Sequence, residues 1–410
     1  MNRRVIASWC LYDFANSFFA ALPAVVWQTY YQQKIVGNEA GQGDFWWGNT
    51  LSTAMLLVAL SSPMMGGIAD YAGVRKRLLV LYTAVCVGAT VLYTTVEPGM
   101  VLWGFVVSVI SIAAFEGALV FYNAYLPEIA PPEYQGRVSG WGFAAGYVGS
   151  LLGLVLALPF AQAGNINLAF LCIAAAFLVF SLPAFFVLPA DAKARRGVVD
   201  AALGGLREAR STFEEILRLK ETRRFLLAYF FFEDGVITVI NVSAGFAAKS
   251  LGFTTQELLI MFAVVQASAL AGAWAWAVPT DRLGPKRVVM TMLVQWTVVI
   301  VCVLFVQTKM QFFLVAVLAG TGLGAIQAAS RAFMSTLIPA GREAEFFGFY
   351  SLCGKSASIV GPLIYGVSSV LTGGNQRRAI LPVLALFMIG ALLLRRVEAG
   401  GPTGKAEVRN

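Results

Sequence analysis

The chain has 410 residues, of which 58% are hydrophobic and only 13% charged, with a formal net charge of +8. Against a globular norm of about 25% charged residues, this composition excludes the two or three soluble domains that length alone would allow. Histidine is absent, and Cys10, Cys86, Cys172, Cys302 and Cys353 stand singly, so no metal-ligand spacing and no disulfide framework is present and no cofactor is implied.

Apolar runs of roughly 20 residues recur about twelve times. They lie at 6–33, 46–68, 78–96, 99–125, 138–160, 166–188, 224–248, 257–279, 288–306, 311–336, 345–371 and 379–395. Each must be a helix, because the bilayer core offers the backbone no water to bond. The first run reads as a retained span: it is long for a signal, contains Asp13 and Asn16, and lacks a clean small-residue cleavage site. With twelve spans, both termini and the even-to-odd loops share one side. That side collects most of the Lys and Arg, including Arg3, Arg4, Arg195, Arg196 and Arg395. The opposite loops hold only Lys34, Lys249, Lys309, Arg377 and Arg378, while Arg331 and Lys355 fall inside spans. The asymmetry predicts that both termini are cytoplasmic and argues against a nucleic-acid partner.

In the first span Asp13, Asn16 and Ser17 stand at i, i+3 and i+4, on one helical face, with Pro23 an expected bend. Trp46 and Trp47 suit an interfacial belt. The second span ends in the basic turn Gly66-Gly67-Ile68-Ala69-Asp70-Tyr71-Ala72-Gly73-Val74-Arg75-Lys76-Arg77, in which Gly73 permits the reversal. The fourth carries Glu116, Val120 and Asn123 on one face. The fifth has Gly142/Gly146 and Gly149/Gly153 at GxxxG spacing, read as close helix packing. Residues 190–222 form the one long polar stretch, and Glu214 with Arg218 at i, i+4 predicts a short amphipathic helix on the membrane surface.

The seventh span contains Glu233 and then the stripe Asp234, Thr238 and Asn241. The eighth ends in a weaker copy of the basic turn, Asp281-Arg282-Leu283-Gly284-Pro285-Lys286-Arg287. The same interval separates Asp70 from Asp281 and Gly73 from Gly284, and a nearly identical one separates Pro127 from Pro339, Gly136 from Gly348 and Gly149 from Gly361. This offset predicts two similar halves, an arrangement typical of secondary transporters. The tenth span aligns Gly324, Gln327 and Arg331, and the eleventh holds Lys355 beside Gly354 and Ser358. Intramembrane charges are costly and mark pathways. Those of spans one, four, seven and ten occupy corresponding members of each three-helix group.

The basic turn resembles the loop signature of the major facilitator superfamily. Tyr12-Asp13-Phe14-Ala15-Asn16-Ser17, Asp234-Gly235, Gln327-Ala328-Ala329-Ser330-Arg331, Glu345-Phe346-Phe347-Gly348-Phe349-Tyr350 and Gly354-Lys355 resemble its vacuolar-effluxer branch, related to an autophagy-linked vacuolar amino-acid exporter. The resemblance covers nearly the whole chain except the linker. It implies an all-α integral membrane protein of twelve transmembrane helices in two pseudo-symmetric six-helix bundles, residues 1–189 and 223–397, with a cytoplasmic linker at 190–222 and a cytoplasmic tail at 398–410. A central cavity lined by helices one, four, seven and ten would carry substrate and protons past Asp13, Asn16, Glu116, Asn123, Glu233, Asp234, Asn241, Gln327, Arg331 and Lys355. The gate would be Asp70, Gly73, Arg75 and Arg77 with Asp281, Gly284 and Arg287. Asp70 would meet the N-terminal end of helix eleven, and Asp281 the start of helix five near Gln135 and Gly136, closing the cytoplasmic side of an outward-facing state. Two departures stand out. Glu233 replaces an uncharged polar residue, and Ala277 takes a glycine position of the second turn, implying a looser gate in that half.

The expectation is therefore a secondary transporter of a small polar metabolite, an amino acid by resemblance, working as a monomer in a bacterial cytoplasmic (inner) membrane. A lipid or lysolipid flippase of the same fold and a membrane sensor are the alternatives. An intramembrane enzyme lacks its nucleophiles and ligands. Arg331 is expected either to snorkel to headgroups or to face the cavity and pair a substrate carboxylate or one of the buried acids. Proton coupling is expected from Asp13 and Asp234, which have no base at i±3 or i±4 and would repel across the closed cavity, with Asp234 the favoured carrier and Glu116 next; the alternative is permanent pairing of the buried acids with Arg331 or Lys355.

Overall fold

The computed structural model describes residues 1–21, 26–37, 41–162, 165–191, 211–357, 360–373 and 375–398, and all regular structure among them is helical. The first half contains α1 (Arg3–Ala21), α2 (Gln42–Tyr71), α3 (Arg75–Leu92), α4 (Val101–Ala124), α5 (Gln135–Gln162) and α6 (Ile166–Val187). The second contains α7 (Lys220–Leu251), α8 (Thr255–Leu283), α9 (Pro285–Phe305), α10 (Lys309–Thr336), α11 (Glu343–Ser356), α12 (Val360–Leu371) and α13 (Val383–Arg395).

Among the described residues, ten helices are long and apolar enough to cross a membrane. The two predicted spans outside that count each run through residues outside the described ones. The first is α1 followed by a π-helical segment, Tyr31–Val36, and Pro23 lies outside the described residues. Of the eleventh, α11 and α12 are described, and Ser358 between them lies likewise outside the described residues. Of the linker, 192–210 lies outside the described residues, Arg195 and Arg196 included, as does the tail from 399. A short helix at 211–218 follows, and α7 begins at Lys220, inside the stretch expected to be linker.

The two basic turns are built on glycine. Gly73 and Gly284 have φ of 61° and 85°, a region closed to most side chains. On the opposite face, α8 and α10 each open with a capping box, Thr254 with Glu257 and Thr308 with Gln311, and Lys309 pairs with Glu257 at 2.7 Å.

The halves meet along α2 with α11 and along α5 with α8 and α10. Lipid tails are as apolar as the helices, so association there depends on close packing of small residues. A Cβ on Gly66 would stand 2.8 Å from the Cα of Glu345, and one on Gly348 would stand 2.8 Å from the Cα of Pro63. In the α5–α8 contact the glycine comes from the other partner: a Cβ on Gly140 would stand 2.6 Å from that of Ala277. Ala277 therefore does not loosen this contact, because α5 supplies the missing space.

The apolar cores show which side is shut. On the face carrying the basic turns, one cluster runs through both halves, joining Trp9, Phe121 and Tyr122 to Phe225, Phe333 and Phe346. On the other face each half keeps its own core, around Trp27, Tyr31, Tyr93 and Phe170 in the first and around Phe246, Phe253 and Phe312 in the second. The halves thus share one apolar core at the basic face and keep separate ones at the other. Gly348→Val should wedge α2 from α11. In a cysteine-free background, labelling of an Ala344→Cys probe by an impermeant thiol reagent should then rise several-fold. An unchanged labelling rate would contradict this packing.

Candidate functional site

Arg331 of α10 enters the first half rather than the headgroup region. It is 3% exposed. Its Nη1 donates to Asp13 Oδ2 at 3.2 Å and to Asn123 Oδ1 at 3.3 Å, its Nε to Ser139 Oγ at 2.9 Å, and its Nη2 to the Ser139 carbonyl at 2.7 Å. The guanidinium carbon lies 4.1 Å from the Phe143 ring centroid and 4.8 Å from that of Trp9, a cation–π enclosure. Tyr122 Oη donates to the same Asp13 oxygen at 2.8 Å, and the Trp9 indole donates to the Tyr122 carbonyl at 3.0 Å. The α5 glycines make room for this assembly: a Cβ on Gly142 would stand 2.8 Å from Arg331 Nη2 and 3.0 Å from Asp13 Oδ2. An unpartnered Arg at mid-bilayer costs about 2.5–3.5 kcal/mol on insertion scales, and this network removes the need to meet that cost in lipid.

Asp13 and Asp234 do not form the repelling pair expected. Asp13 is neutralised by Arg331 from the opposite half, a partner that inspection of its own helix could not reveal. Asp234 instead accepts a hydrogen bond from the Gly361 amide at 2.7 Å, at the start of α12, and its Oδ1 has no hydrogen-bond partner. Thr238 is buried beside it, whereas Asn241, the last residue of that stripe, is exposed and joins no cluster. Glu233 Oε1 accepts from the Gln327 amide at 2.7 Å, and its Oε2 has no hydrogen-bond partner. Glu116 pairs with Lys355 at 2.6 Å from α4 to α11, across the two halves, with side chains 13% and 26% exposed. Asn16 is buried with its carbonyl oxygen unpartnered.

A second cluster lies at the basic face. The Arg75 side chain spreads to Asp70 at 2.9 Å, Glu343 at 2.8 Å, Glu128 at 3.1 Å and the Ala124 carbonyl at 3.1 Å. Asp70 Oδ2 accepts from the Glu345 amide at 2.9 Å, in the first turn of α11, where backbone N–H groups are otherwise unused. At the second turn Asp281 Oδ1 accepts from the Arg137 amide at 3.0 Å, in the first turn of α5, and its Oδ2 lies 3.3 Å from the Arg137 guanidinium. Arg77 and Arg287 do not reach this interface. Arg77 is 79% exposed and meets Asp191 of its own half at 3.3 Å, and Arg287 is exposed.

The helix at 211–218 docks onto this cluster, which corrects the expectation of a membrane-surface helix. Its Thr212 is buried and donates to Glu345, and its Glu215 pairs with Arg342. Arg342 also holds Glu345 at 2.9 Å. Burial works against the Arg342 charge, but its bonds to Glu345 and Glu215 outweigh that and raise its pKa above the ordinary arginine value. Sequence reasoning misses Ser139, Glu128, Arg342 and Glu343. Glu343 and Glu345 carry a readable signal, two acids in the first turn of a helix, but a lone serine in α5 carries none.

Asp13→Asn should lower stability by about 3–5 kcal/mol, because it leaves the buried Arg331 unpaired. Adding Arg331→Met should restore most of the loss, as read by thermal unfolding of the purified protein. Equal destabilisation by the single and double variants would mean that the pair is not the source of the effect.

Residues 49–401 match the family described as vacuole effluxer Atg22 like. A Bacillus subtilis protein described as an uncharacterized MFS-type transporter, YxiO, is 30% identical, covering 98% of this chain and 97% of its own length. Among solved structures, the human organic anion transporter MFSD10 (TETRAN) superposes with a TM-score of 0.77 at 16% identity, over 96% of this chain and 99% of that one. A point variant of the Escherichia coli fucose:proton symporter FucP superposes with a TM-score of 0.76 at 14% identity, over 96% and 98%. At such identities the likeness concerns the fold.

Proposed function

The chain belongs to the vacuole effluxer Atg22-like branch of the major facilitator transporters, and on that premise we propose that it carries a zwitterionic metabolite of the amino-acid class outward by alternating access. It is an integral membrane transporter and not an enzyme. The basic face is read as cytoplasmic from the distribution of Lys and Arg, so the conformation closed there is outward-facing. Asp70 and Asp281, each at the start of a helix from the other half, act as the latches of that closure.

The observation that carries the substrate class is the Glu116–Lys355 pair. It joins the halves, is 2.6 Å long and keeps both side chains partly reachable. A zwitterion can replace it one charge at a time, its carboxylate meeting Lys355 and its ammonium Glu116. The exchange leaves no charge unpaired, which a neutral sugar or a simple anion could not achieve. Arg331, enclosed and satisfied, serves closure rather than substrate. Glu233 is the proton carrier in this reading, because its Oε2 is unpartnered while Gln327 holds the other oxygen. One fold neighbour is itself a proton symporter.

Glu116→Gln and Lys355→Met should each weaken amino-acid binding at least tenfold in a thermal-shift panel that includes lysolipids. Preserved amino-acid binding in both, or stabilisation by lysolipid alone, would overturn the zwitterion reading. Glu233→Gln should abolish pH-gradient-driven accumulation in proteoliposomes and leave substrate counterflow intact. Accumulation that survives would remove Glu233 from the proton path.

A further inference from the structure

Glu345 stands where three parts of the molecule meet. It lies in the first turn of α11 and is fully buried. Its amide serves the first half, donating to Asp70 Oδ2 at 2.9 Å. Its carboxylate serves the linker side: Oε1 accepts from the Thr212 hydroxyl, and Oε2 accepts from Arg342 Nε at 2.9 Å. The same Oε1 is covered by α2, since a Cβ on Gly67 would lie 3.7 Å from it, at ordinary van der Waals distance. α2 and the helix at 211–218 thus close over one carboxylate oxygen from two sides.

A charged oxygen kept from water without its donor is costly. While α2 covers Oε1, Thr212 is the hydroxyl that satisfies it. Once α2 withdraws, water can take that place, and docking of the helix is worth less. Docking therefore favours closure, and by linkage closure favours docking to the same degree. The helix is also built to let go. Its eight residues are too few to persist as an isolated helix, so its order depends on the surface it meets. That surface is small: Thr212 and Ile216 are buried, Glu215 pairs with Arg342, and Phe213 stacks on Phe349 with ring centroids 6.2 Å apart. Phe213 and Leu217 remain exposed. A single extended residue, Leu219, joins the helix to α7, so it can leave without unwinding its neighbour.

We infer that the helix at 211–218 is a detachable clasp on the gate. Docked, it stabilises the state closed at the basic face; released, it lets α2 and α11 part more readily. The clasp rests on the reading of Asp70 as a latch, and it is independent of the zwitterion and of Glu233.

The test uses the purified full chain in a cysteine-free background. Spin labels at Glu133→Cys and Arg287→Cys, both exposed and on opposite halves, report the gap between them. A single label at Leu217→Cys reports docking through its mobility. Thr212→Val should raise the open fraction several-fold although Asp70 is intact, and Thr212→Ser should keep the native distribution. Reciprocally, Asp70→Asn should raise the mobile fraction at position 217 several-fold. A gap distribution in Thr212→Val identical to the native one would overturn the proposal. So would a label at 217 that stays immobile in an Asp70→Asn protein whose gap has widened. If Asp70→Asn leaves the gap closed, the latch reading fails, and the Thr212 variants decide the clasp by themselves. Should Thr212→Val fail to fold, Ile216→Ala takes its place in the same measurement, with the same two outcomes.

Discussion

A charge removed from water must be met by a partner, and in this chain the partner often stands on the other half of the molecule. Arg331 belongs to α10 but is held by Asp13, Asn123 and Ser139 of the first half. Lys355 belongs to α11 and is held by Glu116 of α4. Asp70 belongs to α2 and takes its amide from α11. Such contacts are favourable only while the halves touch, so they favour closure on the basic face without making it permanent.

Reversibility follows from the kind of contact. Bilayer lipids give no strong hydrophobic reason for two helices to stay together, so closure rests on fitted glycines and on polar groups in register. The α2–α11 and α5–α8 contacts use the same solution twice, an aspartate at the end of one helix accepting an amide in the first turn of another. The copies are unequal. The first is reinforced by Arg75, Glu343, Arg342 and the helix at 211–218, whereas the one ion pair at the second aspartate among the described residues is with Arg137. Opening of the basic face therefore has to undo more on the α2–α11 side.

Much of this is legible in the sequence. Apolar runs of membrane length set the helical class, and the spaced repeat of the basic turn exposes the two halves. Stripes at helical spacing single out Asp13, Asp234 and Arg331, and charge inside a span singles out Glu233. That Arg331 pairs a buried acid is among the readings the sequence allows, but which acid is not legible, because Arg331 and Asp13 lie 318 positions apart and each has only apolar or neutral neighbours on its own helix. For the same reason Asp13 looks like a proton carrier in the sequence, when its charge is already met from across the interface. The basic turns look uniform there, but helical geometry sends Arg75 inward and Arg77 out to solvent. The exposed i, i+4 pair of the linker helix points to a membrane surface, yet the buried side bearing Thr212 and Ile216 decides where it sits.

The central claim is that polar contacts between the halves, led by Asp70 at the first turn of α11, hold the basic face shut. Electron–electron distances between spin labels at Arg77→Cys and Arg287→Cys test it most directly, because these exposed sites lie on opposite halves and outside the contacts. In a cysteine-free background the otherwise native protein should show a dominant short distance, and Asp70→Asn should move population to a longer one. Identical distributions in the two proteins would contradict the account.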